Sequence, residues 1–203
     1  MKKIWFRSVA VFLLASTLLF CVSCSKNEVE AKKLDFEMAE MSELRSYVTL
    51  GDYKGMTIKL DGRTKSEAVW SAIRESAEVI KYPEPLVRYY EQQAKAEYEY
   101  HAEKLGIKYK DVLEKLGTSE DEIRAEAERM AIDDVLFEII KRTEAIALEE
   151  SEKQAYFDRY VEKYVEDYGY GEEYVRKELS DEVYDSMLYD KVCEFLITNN
   201  KFE

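Results

Sequence analysis

Residues 119–148 read SEDEIRAEAERMAIDDVLFEIIKRTEAIAL, and the fold class turns on them. Ser119 with Glu122 forms a capping box, in which each side chain satisfies a backbone N–H that the first helical turn leaves without a partner. Behind it Ile123, Ala127, Met130, Ala131, Val135, Leu136, Ile139 and Ile140 recur at helical intervals and form one broad apolar face. The pattern predicts a helix from the cap to about Leu148, long enough at about 1.5 Å per residue to project as an arm.

The same signals repeat outward from this segment. Upstream, Tyr109–Leu116 reads as a short helix stopped by Gly117, and Glu84–Leu105 as a long one stopped by Gly106. Pro85 sits in the first turn of the long helix, where its missing N–H costs nothing. Thr64 and Glu67 form a second capping box, followed by Ala68, Trp70, Ile73, Ala77 and Ile80 at helical spacing. Tyr82-Pro83-Glu84-Pro85 ends that helix, because each proline restricts the residue before it. Downstream, Ser151 with Gln154 opens a helix that Gly169 closes after Tyr168, and a last helical region runs from Glu172 to Ile197 with a break at Ser180-Asp181. With two prolines and seven glycines in 203 residues, the expected fold is all-α.

One segment departs from this pattern. Tyr47–Met56, YVTLGDYKGM, has a β-branched and aromatic start and a Gly-Asp turn, so Tyr47–Leu50 is expected to pair with Met56–Leu60. The expected architecture is an extended, arm-bearing, multi-helix body with a short β-like segment near residues 47–60.

The first two dozen residues are of a different kind. Lys2, Lys3 and Arg7 precede an apolar run from Val9 to Val22, too short for a spanning helix and shaped like the core of a signal peptide. Ser23-Cys24 then resembles a lipobox, with Cys21 where leucine is usual. Residues 1–23 are expected to be removed, Cys24 to carry lipid, and 24–46 to form a tether that turns helical from about Leu34. Residues 47–203 form the body. The expected location is the bacterial cell membrane, lipid-anchored on its extracytoplasmic face.

Charge and chemistry exclude several function classes. A formal charge of −13 argues against nucleic acid, which needs a basic footprint. Loss of the basic leader makes the remainder more acidic still, so the lipid would do the anchoring. Cys193 would be the last cysteine left, read as a small core residue. His101 is the single histidine, read as a lone imidazole on a helix. Adjacent carboxylates such as Asp133-Asp134 diverge on a helix. No nucleophile elbow, phosphate loop or HExxH occurs, and neither a catalytic residue, a metal nor a cofactor is expected.

The informative bias is aromatic, with sixteen tyrosines. Tyr156, Tyr160, Tyr164 and Tyr168 recur every four residues, and Tyr89 and Tyr90 load another helix. A stripe at this spacing packs a core or lines a partly exposed surface. In the second case the six tyrosines are candidates for contact with a bound chain, since the ring meets apolar groups while the hydroxyl stays wet.

Leu50-Gly51-Asp52-Tyr53-Lys54-Gly55-Met56 followed by Thr57–Leu60 resembles the segment by which trigger factor leaves its ribosome-binding domain. Tyr82-Pro83-Glu84-Pro85-Leu86-Val87 is similar to the start of that chaperone's first helical arm. Gly106-Ile107, Tyr109-x-x-Val112-Leu113, Leu116-Gly117, Glu120-x-x-Ile123-Arg124, and Ala131, Val135, Ile139-Ile140, Ile146-Ala147 and Glu150 follow in the family's order. The resemblance covers residues 47–60 and 66–200 and extends to the helical bodies of the SurA and PrsA families. It implies ATP-independent, weak holding of unfolded or nascent secreted polypeptides. Only residues 61–66 stand where the family carries its prolyl isomerase domain, and a leader and tether stand where it carries the ribosome-binding domain. Neither activity is therefore expected. The alternative is a non-enzymatic lipoprotein adaptor for one dedicated partner. Oligomeric state is left open.

Overall fold

The computed structural model describes residue 36 and residues 39–203. Cys24, the leader and most of the tether, including its expected helical start at Leu34, lie outside the described residues. Eight helices occur among the described residues: α1 (Met41–Leu44), α2 (Lys65–Ser76), α3 (Glu84–Leu105), α4 (Tyr109–Leu116), α5 (Glu120–Thr143), α6 (Glu150–Tyr168), α7 (Glu172–Glu178) and α8 (Ser180–Thr198). Four two-residue strands accompany them: β1 (Val48–Thr49), β2 (Thr57–Ile58), β3 (Glu78–Val79) and β4 (Lys201–Phe202). The fold is all-α, as expected.

Two of the three expected caps act where the sequence placed them. At α2, Glu67 N donates to Thr64 Oγ1 at 3.2 Å, and Thr64 N donates to the Glu67 carboxylate at 2.7 Å. At α5, Glu122 N donates to Ser119 Oγ at 3.2 Å. Gly106, Gly117 and Gly169 each end a helix with positive φ, the conformation in which the last carbonyls find partners.

The β-like segment pairs differently from expectation. Val48–Thr49 pairs antiparallel with Glu78–Val79, and Thr57–Ile58 pairs parallel with Lys201–Phe202 near the C-terminus. Tyr47–Leu50 therefore does not fold back on Met56–Leu60. The cause lies at the end of α2, which stops at Ser76 and not beyond Ile80. Ser76 Oγ donates to Asp52 O at 2.8 Å and to Ile73 O at 2.9 Å, so this side chain competes with continued helix. Ala77 is already extended, and Ile80 N donates to Tyr47 O. Gly51 fits against this corner because it lacks a side chain: a Cβ there would stand 2.0 Å from Ser76 O.

Two other boundaries move. Helix α5 ends at Thr143 because Ala145 takes φ 51°, with Ile146 N donating to Lys141 O and Ala145 N to Arg142 O. This is the hydrogen-bond pattern of a Schellman stop with alanine in the place usual for glycine, so no breaker marks it in sequence. Helix α6 is capped by Glu149 and not by Ser151, with Glu149 N donating to Glu152 at 2.8 Å. The last break falls at Leu179, just before the expected Ser180-Asp181.

The chain divides into two compact units, and the division falls within α5. The described residues of the first are 36 and 81–134; those of the second are 39–80 and 135–203. In the first, Tyr98, Ala102, Val112, Leu113 and Ile123 form a buried cluster from α3, α4 and the start of α5, with Ala94, Ile107 and Tyr109 against it. In the second, Leu44, Ile73, Leu136, Ile139, Ile140 and Leu196 are fully buried. Trp70 lies beneath Tyr189 and donates through Nε1 to Cys193 Sγ at 3.3 Å, which places the thiol in the core as expected. Glu138, also buried, is held by Lys141 at 2.6 Å and Arg142 at 2.5 Å.

A clasp joins YVTLGDYKGM to the C-terminal tail inside the second unit. Asn200 Nδ2 donates to Tyr53 O, and its Oδ1 accepts from Met56 N at 2.8 Å. Gly55 N donates to Asn199 O, and Lys201 N to Met56 O. Lys54 and the Tyr53 hydroxyl both donate to Glu144 Oε1, at 2.7 and 2.5 Å.

Candidate functional site

Helix geometry determines how the tyrosines of α6 are presented. Each four-residue step advances the side chain about 40° beyond a full turn, so the three steps from Tyr156 to Tyr168 turn the stripe by about 120° around the helix. Tyr156 is accordingly 50% exposed, Tyr160 and Tyr168 are half-buried, and Tyr164 is buried at 9%. The Tyr164 hydroxyl donates to Glu182 O at 3.1 Å and lies 2.7 Å from Ser186 Oγ, anchoring α6 to α8. Tyr160 donates to Asp190 at 2.6 Å, and burial followed by that carboxylate raises its phenol above the usual range. The stripe is thus part core and part surface.

Tyr89 and Tyr90, both half-buried, belong to the other unit. Their rings meet edge to face at 5.3 Å, and the Tyr90 hydroxyl donates to Asp134. Burial first, then Asp134, raises the Tyr90 phenol. They form a structural pair within their unit.

The half-exposed end of the α6 stripe continues into residues that the periodicity did not mark. Tyr164 and Tyr168 are 5.4 Å apart between ring centroids, Tyr168 and Tyr170 6.1 Å, and Tyr170 and Tyr174 5.9 Å. Gly169, at φ 72°, turns the chain after α6, and Gly171 starts α7, so that Tyr170 is presented between the two helices. Tyr174 is 45% exposed beside an open depression lined by Gly171, Glu173, Lys177 and Glu178. The signal in sequence was Tyr168-Gly169-Tyr170-Gly171-Glu172-Glu173-Tyr174, aromatic rings interleaved with glycine at a helix junction.

Another exposed ring, Tyr189, stacks between Trp70 and Phe137 at 6.2 and 6.0 Å. Val79, Ile80, Leu105 and Leu116 are further apolar side chains in contact with solvent. His101 pairs with Glu97 at 2.7 Å on the same helix, an ordinary side-chain contact. Among the described residues no group of histidine, cysteine and carboxylate side chains could hold a metal ion. Tyr156, Tyr174 and Tyr189 thus bring aromatic surface to solvent, the amphipathic kind that combines an apolar ring with a polar tip.

Residues 61–198 match the family model described as bacterial trigger factor protein (TF) C-terminus. No curated protein and no solved structure matches the chain.

Proposed function

Since the chain belongs to the bacterial trigger factor C-terminal family, a chaperone-type and non-catalytic domain, we propose that it is a holdase for unfolded secreted proteins, tethered by lipid to the outer face of the cell membrane. The observation that carries the holding function is the family match across the helical body, and the exposed tyrosine run supplies a surface chemically suited to it. Rings and aliphatic groups meet apolar client segments, the acidic exterior keeps the loaded complex dispersed, and release follows from the weakness of each contact. The tether rests on the lipobox-like Ser23-Cys24. The short link at residues 61–66 supports a reading without isomerase activity.

The test is suppression of aggregation. Purified full-length protein in mild detergent should protect several unrelated unfolded proteins at near-stoichiometric ratio without nucleotide. Protection of none, with co-purification of one partner at fixed stoichiometry, would replace the holdase by a dedicated adaptor. For the tether, Cys24→Ser should move the protein out of the membrane fraction. A variant that stays there would make the leader an uncleaved anchor.

A further inference from the structure

We propose that the run Tyr168, Tyr170 and Tyr174 is an arginine-selective subsite, which takes guanidinium groups of an extended bound polypeptide in preference to lysine ammonium groups. The inference rests on the holding function proposed above and names the side chain that this surface selects.

Three observations carry it. The rings form a continuous series with centroids 6.1 and 5.9 Å apart, ending at exposed Tyr174. Carboxylates border that end: Glu173 and Glu178 line the depression beside Tyr174. The side chain best matched to a ring face with a carboxylate at its edge is a planar cation that stacks and donates in a fork.

The third observation is that the neighbouring surface already uses this arrangement internally. Arg176 lies 5.8 Å from the Phe157 ring centroid and at the same time donates to Asp158 at 2.7 Å and to Glu172 at 2.8 Å. One guanidinium thus satisfies a ring and two carboxylates from different helices. Lys153, over Tyr184 at 5.4 Å, reaches a single carboxylate, Glu150 at 2.8 Å. Arginine is the better match to such a site on chemical grounds: its donors are spread over a rigid plane and it is more weakly hydrated than an ammonium.

The group now occupying part of this chemistry is easily exchanged. Lys177 pairs with Glu173 at 2.7 Å, but their side chains are 67% and 80% exposed, and such i,i+4 pairs contribute little. An incoming guanidinium can take over Glu173 while stacking on Tyr174, and the chain backbone then runs along Tyr170 and Tyr168.

Anisotropy titrations of full-length protein in mild detergent test the assignment. The probes are fluorescein-labelled Gly/Ser peptides carrying arginines, the same peptides with lysines, and the same with neutral citrullines. The arginine peptide should bind about five- to tenfold more tightly than the lysine peptide. Tyr170→Leu with Tyr174→Leu should abolish that ratio, and the two phenylalanine replacements should keep it. Equal affinity for arginine and lysine, or a ratio unchanged in the leucine variant, would overturn the inference. If aggregation is nevertheless suppressed, the holdase reading stands and only the arginine subsite falls. Tighter binding of citrulline than of lysine would assign the surface to planarity without charge and would also overturn it.

Discussion

The two units are closed in different ways. The first gathers Tyr98, Ala102, Val112, Leu113 and Ile123 from three helices at 4–8% exposure, and its Leu86 and Val87 are fully buried. Ion pairs run along its outside, such as Lys95 to Glu91 and Glu120, and Arg124 to Glu84 and Glu128. The second sinks large aliphatic groups completely and is closed by the clasp between YVTLGDYKGM and residues 199–203. The comparison teaches where rigidity resides. A clasp between segments distant in sequence should protect the second unit's backbone against local opening more than exposed ion pairs protect that of the first.

Core truncation should expose the contrast most strongly. Leu196→Ala removes a fully buried side chain from the second unit and should cost about 3–4 kcal/mol in urea unfolding. Leu113→Ala in the first, at 6% exposure, should cost less, about 2–3 kcal/mol, because its neighbours can settle around the loss. Equal penalties would break the comparison. Next comes the clasp. Asn200→Ala removes the bonds to Tyr53 O and from Met56 N, which should lower stability by about 1–3 kcal/mol and speed amide exchange at β2 and β4 without affecting α3 and α4.

Gly51→Ala should sharpen the same point through sterics. The added Cβ meets backbone at Ser76 O, so β1 and the end of α2 must separate, at about 1–3 kcal/mol. An unperturbed variant would contradict the close approach. A smaller effect concerns pH. Hydrogen bonds from Lys54 and then Tyr53 lower the Glu144 carboxyl below its ordinary value. A depressed folded pKa means that the stabilisation is present above the unfolded value of about 4.3 and is lost as pH falls through the folded value. Glu144→Gln should therefore flatten the acid limb of stability below about pH 4.3, and an unchanged limb would remove Glu144 from the clasp.

Much of the fold was legible because its signals are local. Thr64, Ser119, Gly106, Gly117 and Gly169 each act where their chemistry predicts, since a cap needs only neighbours within one turn. The failures were of two kinds. Ala145 ends α5 in a conformation that alanine seldom takes, and nothing in its residue type announces this. The partners of YVTLGDYKGM lie on the far side of α2 and at the C-terminus, and strand pairing of two residues each leaves no periodicity to read.

The tyrosine surface was half legible. A four-residue repeat identified α6 as aromatic, but the mismatch with 3.6 residues per turn sends Tyr164 into the core and leaves Tyr156 in solvent. The run that does stay together, Tyr168, Tyr170 and Tyr174, crosses a helix junction, so no single helical period contains it.

Hydrogen–deuterium exchange of the full-length protein, with and without an unfolded client, tests the central claim most directly. Client-dependent protection across 164–174, repeated with clients of unrelated sequence and with little change at the clasp, is the expected result. Protection confined to other segments, or seen with one client alone, would contradict it.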